Sequence, residues 1–247
     1  SFFNEPPAGF SDGPLLHARP LIMIGREDQA DEVRELAVAA SRLVPNLRIL
    51  DRQETLGLAP FLRPDYVASG LLEPNSSDLD VNRIHVGFLK KARSLGAEIV
   101  TDCEVQGISR RGDLWVLSTR QGEIGGATLI NAAGAWADAV AALAGVAPIG
   151  LVPKRRSAFI FSIEPPQAVQ QWPTIIDISE EFYFKPDAGR LLGSPADETP
   201  TEPCDAQPEE IDIAIAIDRI TKAADFDVRT VESRWAGLRS FVEDKSP

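Results

Sequence analysis

Residues 128–140 read TLINAAGAWADAV: an apolar run, a corner of small residues at Ala132, Ala133, Gly134 and Ala135, then an amphipathic pattern resuming at Trp136. An apolar strand that breaks at small residues and restarts as a helix is a strand-to-helix join. Bare backbone at such a corner suits close approach of an anionic group, because little side chain stands in the way and a helix start carries partial positive charge. Tight packing of strand on helix would explain the same residues without any ligand.

Working outward, strands and helices alternate. PLIMIG (20–25) reads as a buried strand, and Val33, Leu36, Ala37, Ala40 and Val44 follow at helical spacing until Pro45. LRIL (47–50) is a second strand, and Asp51 and Glu54 have the spacing of a capping box. Val81, Ile84, Phe88, Leu89, Ala92 and Leu95 form the stripe of a helix that Gly96 ends. EVQGISR (104–110), LWVLSTR (114–120) and ATLINA (127–132) read as a three-stranded meander. SAFIFSI, TIIDIS, FYFKP and RLLGS add strands between residues 157 and 194, a helix is expected near 208–224, and a last strand leads into WAGLR (235–239). Between them, residues 194–210 carry enough Pro and acid to read as a surface loop.

Composition narrows the function. The 247 residues are 44% hydrophobic, enough for a sizeable core, and carry 37 acidic against 25 basic side chains for a net charge of -12. A phosphate backbone would be repelled, so nucleic acid is excluded as a partner. No apolar stretch approaches the roughly 20 residues of a bilayer span. Cys103 and Cys204 make no disulfide framework, which fits a reducing, cytoplasmic compartment, and two histidines, His17 and His85, argue against a metal site. No G-x-G-x-x-G occurs; GEIGG (122–126) precedes a strand-like run rather than following one, so a complete dinucleotide site is not expected from these residues.

The block INAAGAWADAVAALAG (130–145), behind a helix ending in LGAEIV and a meander, resembles the flavoprotein family of D-amino acid oxidases, glycine oxidases and D-amino acid dehydrogenases. PKRRSAFIF, FYFKPDAG, LLGSPA and WAGLRSFV, with FFNEPPAGF and LLHARP near the start, are similar to blocks of bacterial D-arginine dehydrogenases, in the same order. The resemblance implies the α+β and α/β central part of a two-domain FAD protein: an incomplete FAD-binding domain at 73–148, and a substrate domain with a mixed antiparallel sheet at 11–72 and 149–238. The family's Gly-rich FAD finger and second flavin segment lie outside the matched blocks. These residues alone are therefore expected to bind FAD weakly or not at all, to be inactive, and to self-associate through unpaired sheet edges.

The implied chemistry is oxidation of a D-amino acid to a 2-oxo acid and ammonia. By resemblance, Arg156, Arg239 and Tyr183 bind the substrate carboxylate, for which guanidinium offers a planar two-point fork. Leu21, Thr174 and Ile176 would line the side-chain pocket, while Val105, Ala132, Ala133, Gly134 and Ala135 would lie by the flavin. Where the D-arginine enzymes carry a glutamate after RP, this chain has Leu21. A guanidinium facing it would lose roughly 3–5 kcal/mol as an unpaired buried charge, so apolar or smaller D-amino acids are expected. A glycine- or sarcosine-oxidase-like enzyme and a non-catalytic binding module are the alternatives. Oxygen or a membrane quinone would reoxidise the flavin, the latter implying peripheral membrane association.

Overall fold

The computed structural model describes residues 2–243. In chain order the elements are β1 (Leu16–Ala18), β2 (Leu21–Gly25), α1 (Ala30–Ala40), β3 (Arg48–Asp51), α2 (Arg52–Leu58), β4 (Ser69–Glu73), β5 (Ser77–Leu79), α3 (Val81–Ser94), β6 (Val105–Arg111), β7 (Leu114–Thr119), β8 (Gly122–Gly126), α4 (Ala137–Leu143), β9 (Val152–Glu164), β10 (Thr174–Asp177), β11 (Tyr183–Asp187), β12 (Arg190–Ser194), β13 (Thr199–Pro200), α5 (Glu210–Ala223) and β14 (Asp227–Phe241). The class is mixed α and β. The chain forms two compact units: one of residues up to Phe88, Arg156–Asp197 and Gln207–Ala236, the other of Leu89–Arg155, Glu198–Ala206 and residues from Gly237 on.

The first unit is built on a sheet in the order β9-β12-β11-β10-β2-β4-β3. β10 and β2 run parallel, with Thr174 opposite Leu21 and Ile176 opposite Met23, while the remaining neighbours are antiparallel. β14 pairs with β9 off this path. Because side chains alternate across a strand, the sheet has two unlike faces. One is mostly apolar: Ile22, Ile175, Phe184, Leu191, Phe159 and Phe161 are each at most 1% exposed. The stripe Ile213, Ala216, Ile220 and Ala223 of α5 belongs to the same core. Each such side chain contributes about 1.5–3 kcal/mol on burial. Gly193 of β12 is required by this packing, since a Cβ there would stand 2.8 Å from Phe159 and 3.2 Å from Ile220.

Local chemistry accounts for the shorter elements. Asp51 caps α2 by accepting the Glu54 N–H at 2.8 Å while Glu54 accepts the Asp51 N–H at 3.1 Å, so two orphan donors are satisfied reciprocally. Asp177, buried at the end of β10, accepts from the Ser179 N–H at 3.0 Å and pairs with Arg26 at 3.5 Å. Burial pushes its carboxyl above the usual range against those hydrogen bonds.

In the second unit β6, β7 and β8 form an antiparallel meander. Its third strand is GEIGG, not ATLINA as the apolar run suggested. The turn at Arg120 and Gln121 brings Gly122–Gly126 straight back along β7, from Thr119↔Gly122 to Trp115↔Gly126. That takes up the edge of β7; residues 127–133 lie outside the ladder, and Ile130 is 82% exposed. β13 pairs with the start of β9 in this unit, Thr199 opposite Arg155. Among the described residues, no helix is long and apolar enough to cross a membrane, and no cluster of three His, Cys, Asp or Glu could hold a metal.

Candidate substrate face and flavin corner

The second face of the first unit's sheet is of a different kind. The register puts Ile176 beside Tyr183 and Met23, and Tyr183 beside Ser194. The neighbouring rung holds Leu192, Lys185, Thr174, Leu21 and Glu73. Ile160 lies opposite Leu192, and alternation along β9 carries Arg156 to the same face. Leu21, Thr174, Ile176, Tyr183 and Arg156 are all half-buried. Five residues from four separate strands thus share one surface that mixes apolar walls with a guanidinium and a phenol.

Two structures bound that surface. At one side Val33, Leu36 and Ala37 of α1 pack with Met23 and Leu71. At the other, the ribbon formed by β1 and β5 reaches it through Asp78, whose carboxylate accepts from Lys185 at 2.6 Å and from Arg19 Nε. Burial raises the Asp78 carboxyl, yet the hydrogen bonds and charges of Arg19 and Lys185 hold it below the usual range. Neither Asp78 and Lys185 nor Glu73, the partner of Leu21, was singled out from sequence. Strand register makes Glu73 a neighbour of Leu21, and Asp78 meets Lys185 across 107 residues of sequence.

Arg239 lies on β14 in the second unit and is exposed. So does the small-residue corner. A 3-10 turn, Gly134–Trp136, leads into the seven-residue α4. Of the N–H groups at this corner, that of Ala133 is taken by Asn131 Oδ1 at 3.2 Å, and Asn131 Nδ2 donates to the Ala137 carbonyl at 2.8 Å. Strand-on-helix packing does not account for Gly134. Gly134 has φ +56, which favours glycine, but no atom lies within 4 Å of where its Cβ would be. Ala132 and Gly134 are exposed, Ala133 is half-buried and Ala135 is 8% exposed. Val105 opens β6, half-buried, opposite Thr119.

Beyond the corner, Asp138 accepts N–H groups from Ile149, Gly150 and Leu151 at 3.0, 3.0 and 2.8 Å. Those bonds, Ile149 and Leu151 foremost, hold its carboxyl below the ordinary range. It lines a cleft of about 650 Å³ with Ala135, Leu151, Pro200, Thr201 and Glu202.

The family model described as FAD dependent oxidoreductase matches residues 9–247. The 4-methylaminobutanoate oxidase (formaldehyde-forming) of Paenarthrobacter nicotinovorans is 35% identical over 129 residues, 51% of this chain and 15% of the relative. Mitochondrial dimethylglycine dehydrogenase of Rattus norvegicus is 25% identical over 150 residues, 60% of this chain and 17% of the relative. Among solved structures, glycine oxidase from Geobacillus kaustophilus superposes with a TM-score of 0.80 at 20% identity, over 94% of this chain and 62% of that one. This chain therefore spans only a small part of those curated relatives and about three fifths of the solved one. The matches support the family and do not single out D-arginine dehydrogenases.

Proposed function

This chain belongs to the family of FAD-dependent oxidoreductases, and from that membership we propose that the whole protein oxidises the Cα–N bond of a D-amino acid with an uncharged side chain. The observation that supports this most is the shared sheet face, on which Arg156 and Tyr183 accompany Leu21, Thr174 and Ile176. Arg156 would hold the carboxylate, and the Tyr183 hydroxyl would donate to it. Charge-assisted bonds of this kind contribute roughly 1.5–3 kcal/mol each, enough to fix the substrate's orientation. Thr174, Ile176 and Leu21 would take the side chain, and Leu21 would leave a guanidinium unpaired. The D configuration rests on the resemblance of the surrounding blocks.

The second unit, in this reading, carries part of the flavin site, with Val105 by the adenine end. The corner fits a cofactor lying against the backbone at Ala132 and Gly134, because both are exposed and no atom lies within 4 Å of where a Gly134 Cβ would be. When bound, FAD supplies the acceptor for the hydride that leaves Cα as the nitrogen lone pair forms the C=N bond. The role of the chain's own residues is positioning: the carboxylate is anchored, so the Cα hydrogen presents one face. Water then hydrolyses the imino acid to a 2-oxo acid and ammonia.

A second reading, oxidation of small N-methyl amino compounds, draws support from the 4-methylaminobutanoate and dimethylglycine enzymes. Products separate the two. The intact, FAD-loaded protein is incubated with D-leucine, D-methionine, D-arginine, sarcosine and glycine under oxygen and with artificial acceptors. Ammonia and a 2-oxo acid from D-leucine or D-methionine support the first reading. Formaldehyde from sarcosine, with D-amino acids inert, overturns it.

A further inference from the structure

The contacts of Asp78 go beyond what binding a carboxylate requires. Its two oxygens take Lys185 Nζ at 2.6 Å and Arg19 Nε. Arg19 in turn donates through Nη1 to the carbonyls of Trp172 and Gln170, at 2.7 and 3.2 Å, and its N–H bonds the Ser76 carbonyl at 3.0 Å. The Thr174 N–H is held by the Pro20 carbonyl at 2.9 Å. Arg19 and Asp78 side chains are only 16% and 21% exposed, so these charges are screened less than an ordinary surface pair.

The anchor points are what distinguish this network from a stabilising surface cluster. Lys185 is the rung neighbour of Thr174, Arg19 stands two residues before Leu21, and the two carbonyls belong to the turn that leads into Thr174. Each tie therefore ends beside a residue of the half-buried face. With α1 covering Met23 and Leu71, the ribbon of β1 and β5 bounds the face at Lys185.

We infer that Asp78 is a positioning residue that sets the depth of the side-chain pocket: by gripping Lys185 and Arg19 together it fixes the β1–β5 ribbon as the wall at which a substrate side chain stops. This rests on the reading of the face as the substrate site. The wall limits length, whereas Arg156 and Tyr183 act on the carboxylate, so the two roles separate in a ligand series.

The test uses straight-chain carboxylates from acetate to octanoate on the intact FAD-loaded protein, with dissociation constants read from perturbation of the flavin absorbance. In the unaltered protein affinity should rise with length and then fall. Asp78→Ala should move the fall outward by about two carbons and tighten octanoate about tenfold, as two further buried methylenes require, with acetate changed less than about threefold. Lys185→Met, which leaves the Asp78–Arg19 pair, should shift the limit in the same direction and carries the test if Asp78→Ala does not fold. An equal change at every length, or none, would overturn the inference, and so would failure of all carboxylates to bind. A length limit that moves as stated, in a protein that turns over no D-amino acid, sustains the wall and sinks only the proposed reaction.

Discussion

The two faces of the first unit's sheet come from the same strands, one residue apart, yet they differ in almost every physical respect. Phe184, Ile175 and Ile22 point one way into a core at most 1% exposed; Tyr183, Thr174, Ile176 and Leu21 point the other way and stay half-buried. Close packing makes the first face intolerant of changed volume. The second carries hydroxyl, guanidinium and ammonium groups that such a core would not accept unpaired. The contrast teaches that alternation lets one sheet hold the unit together with one half of its residues and keep polar groups on the other half.

Stability should break on the first face before anything else does. Phe184→Ala is expected to cost about 3–5 kcal/mol in urea unfolding, the largest effect here, because a buried aromatic leaves a cavity. A loss below about 1 kcal/mol would mean the apolar face is not the core. On the other face the order reverses. Arg156→Met should lower kcat/KM of the intact enzyme about ten- to a hundredfold through KM and orientation, while unfolding changes far less than for Phe184→Ala. Activity left intact would remove Arg156 from the site.

Much of this architecture was legible in the chain. TIIDIS and FYFKP form strands because β-branched and aromatic residues are concentrated there, and the Asp51–Glu54 spacing marked a helix start. What could not be read is pairing between distant segments. Nothing in TIIDIS says that it lies parallel to β2, and that register is what puts Thr174 beside Leu21 and Lys185 beside Thr174. The same limit explains the misassigned third strand: ATLINA is more apolar than GEIGG, but a two-residue turn returns GEIGG to β7 first. The candidate residues could be named from sequence; their common face could not.

Smaller effects sharpen the contrast. Leu21→Glu should shift the ratio of kcat/KM for D-arginine over D-leucine upward by about tenfold or more, since it supplies a partner for a side-chain cation. An unchanged ratio would take Leu21 out of the pocket wall. The smallest expected change lies in the second unit. Asp138 is held below the ordinary carboxylate range in the folded chain by backbone N–H groups. Its contribution to stability is therefore present above the unfolded value of about 3.9 and is lost as pH falls through the folded value. Asp138→Asn should flatten the acid side of the stability profile in thermal melts; an unaltered profile would show that these bonds do not survive in solution.

The most direct test of the mixed face as a substrate surface is a crystal structure of the intact, FAD-loaded protein with a non-oxidised carboxylate analogue of D-leucine. The account predicts the carboxylate within about 3 Å of the Arg156 guanidinium and the Tyr183 hydroxyl, with the side chain against Thr174, Ile176 and Leu21. An analogue bound elsewhere, with Arg156 and Tyr183 out of its reach, would contradict it.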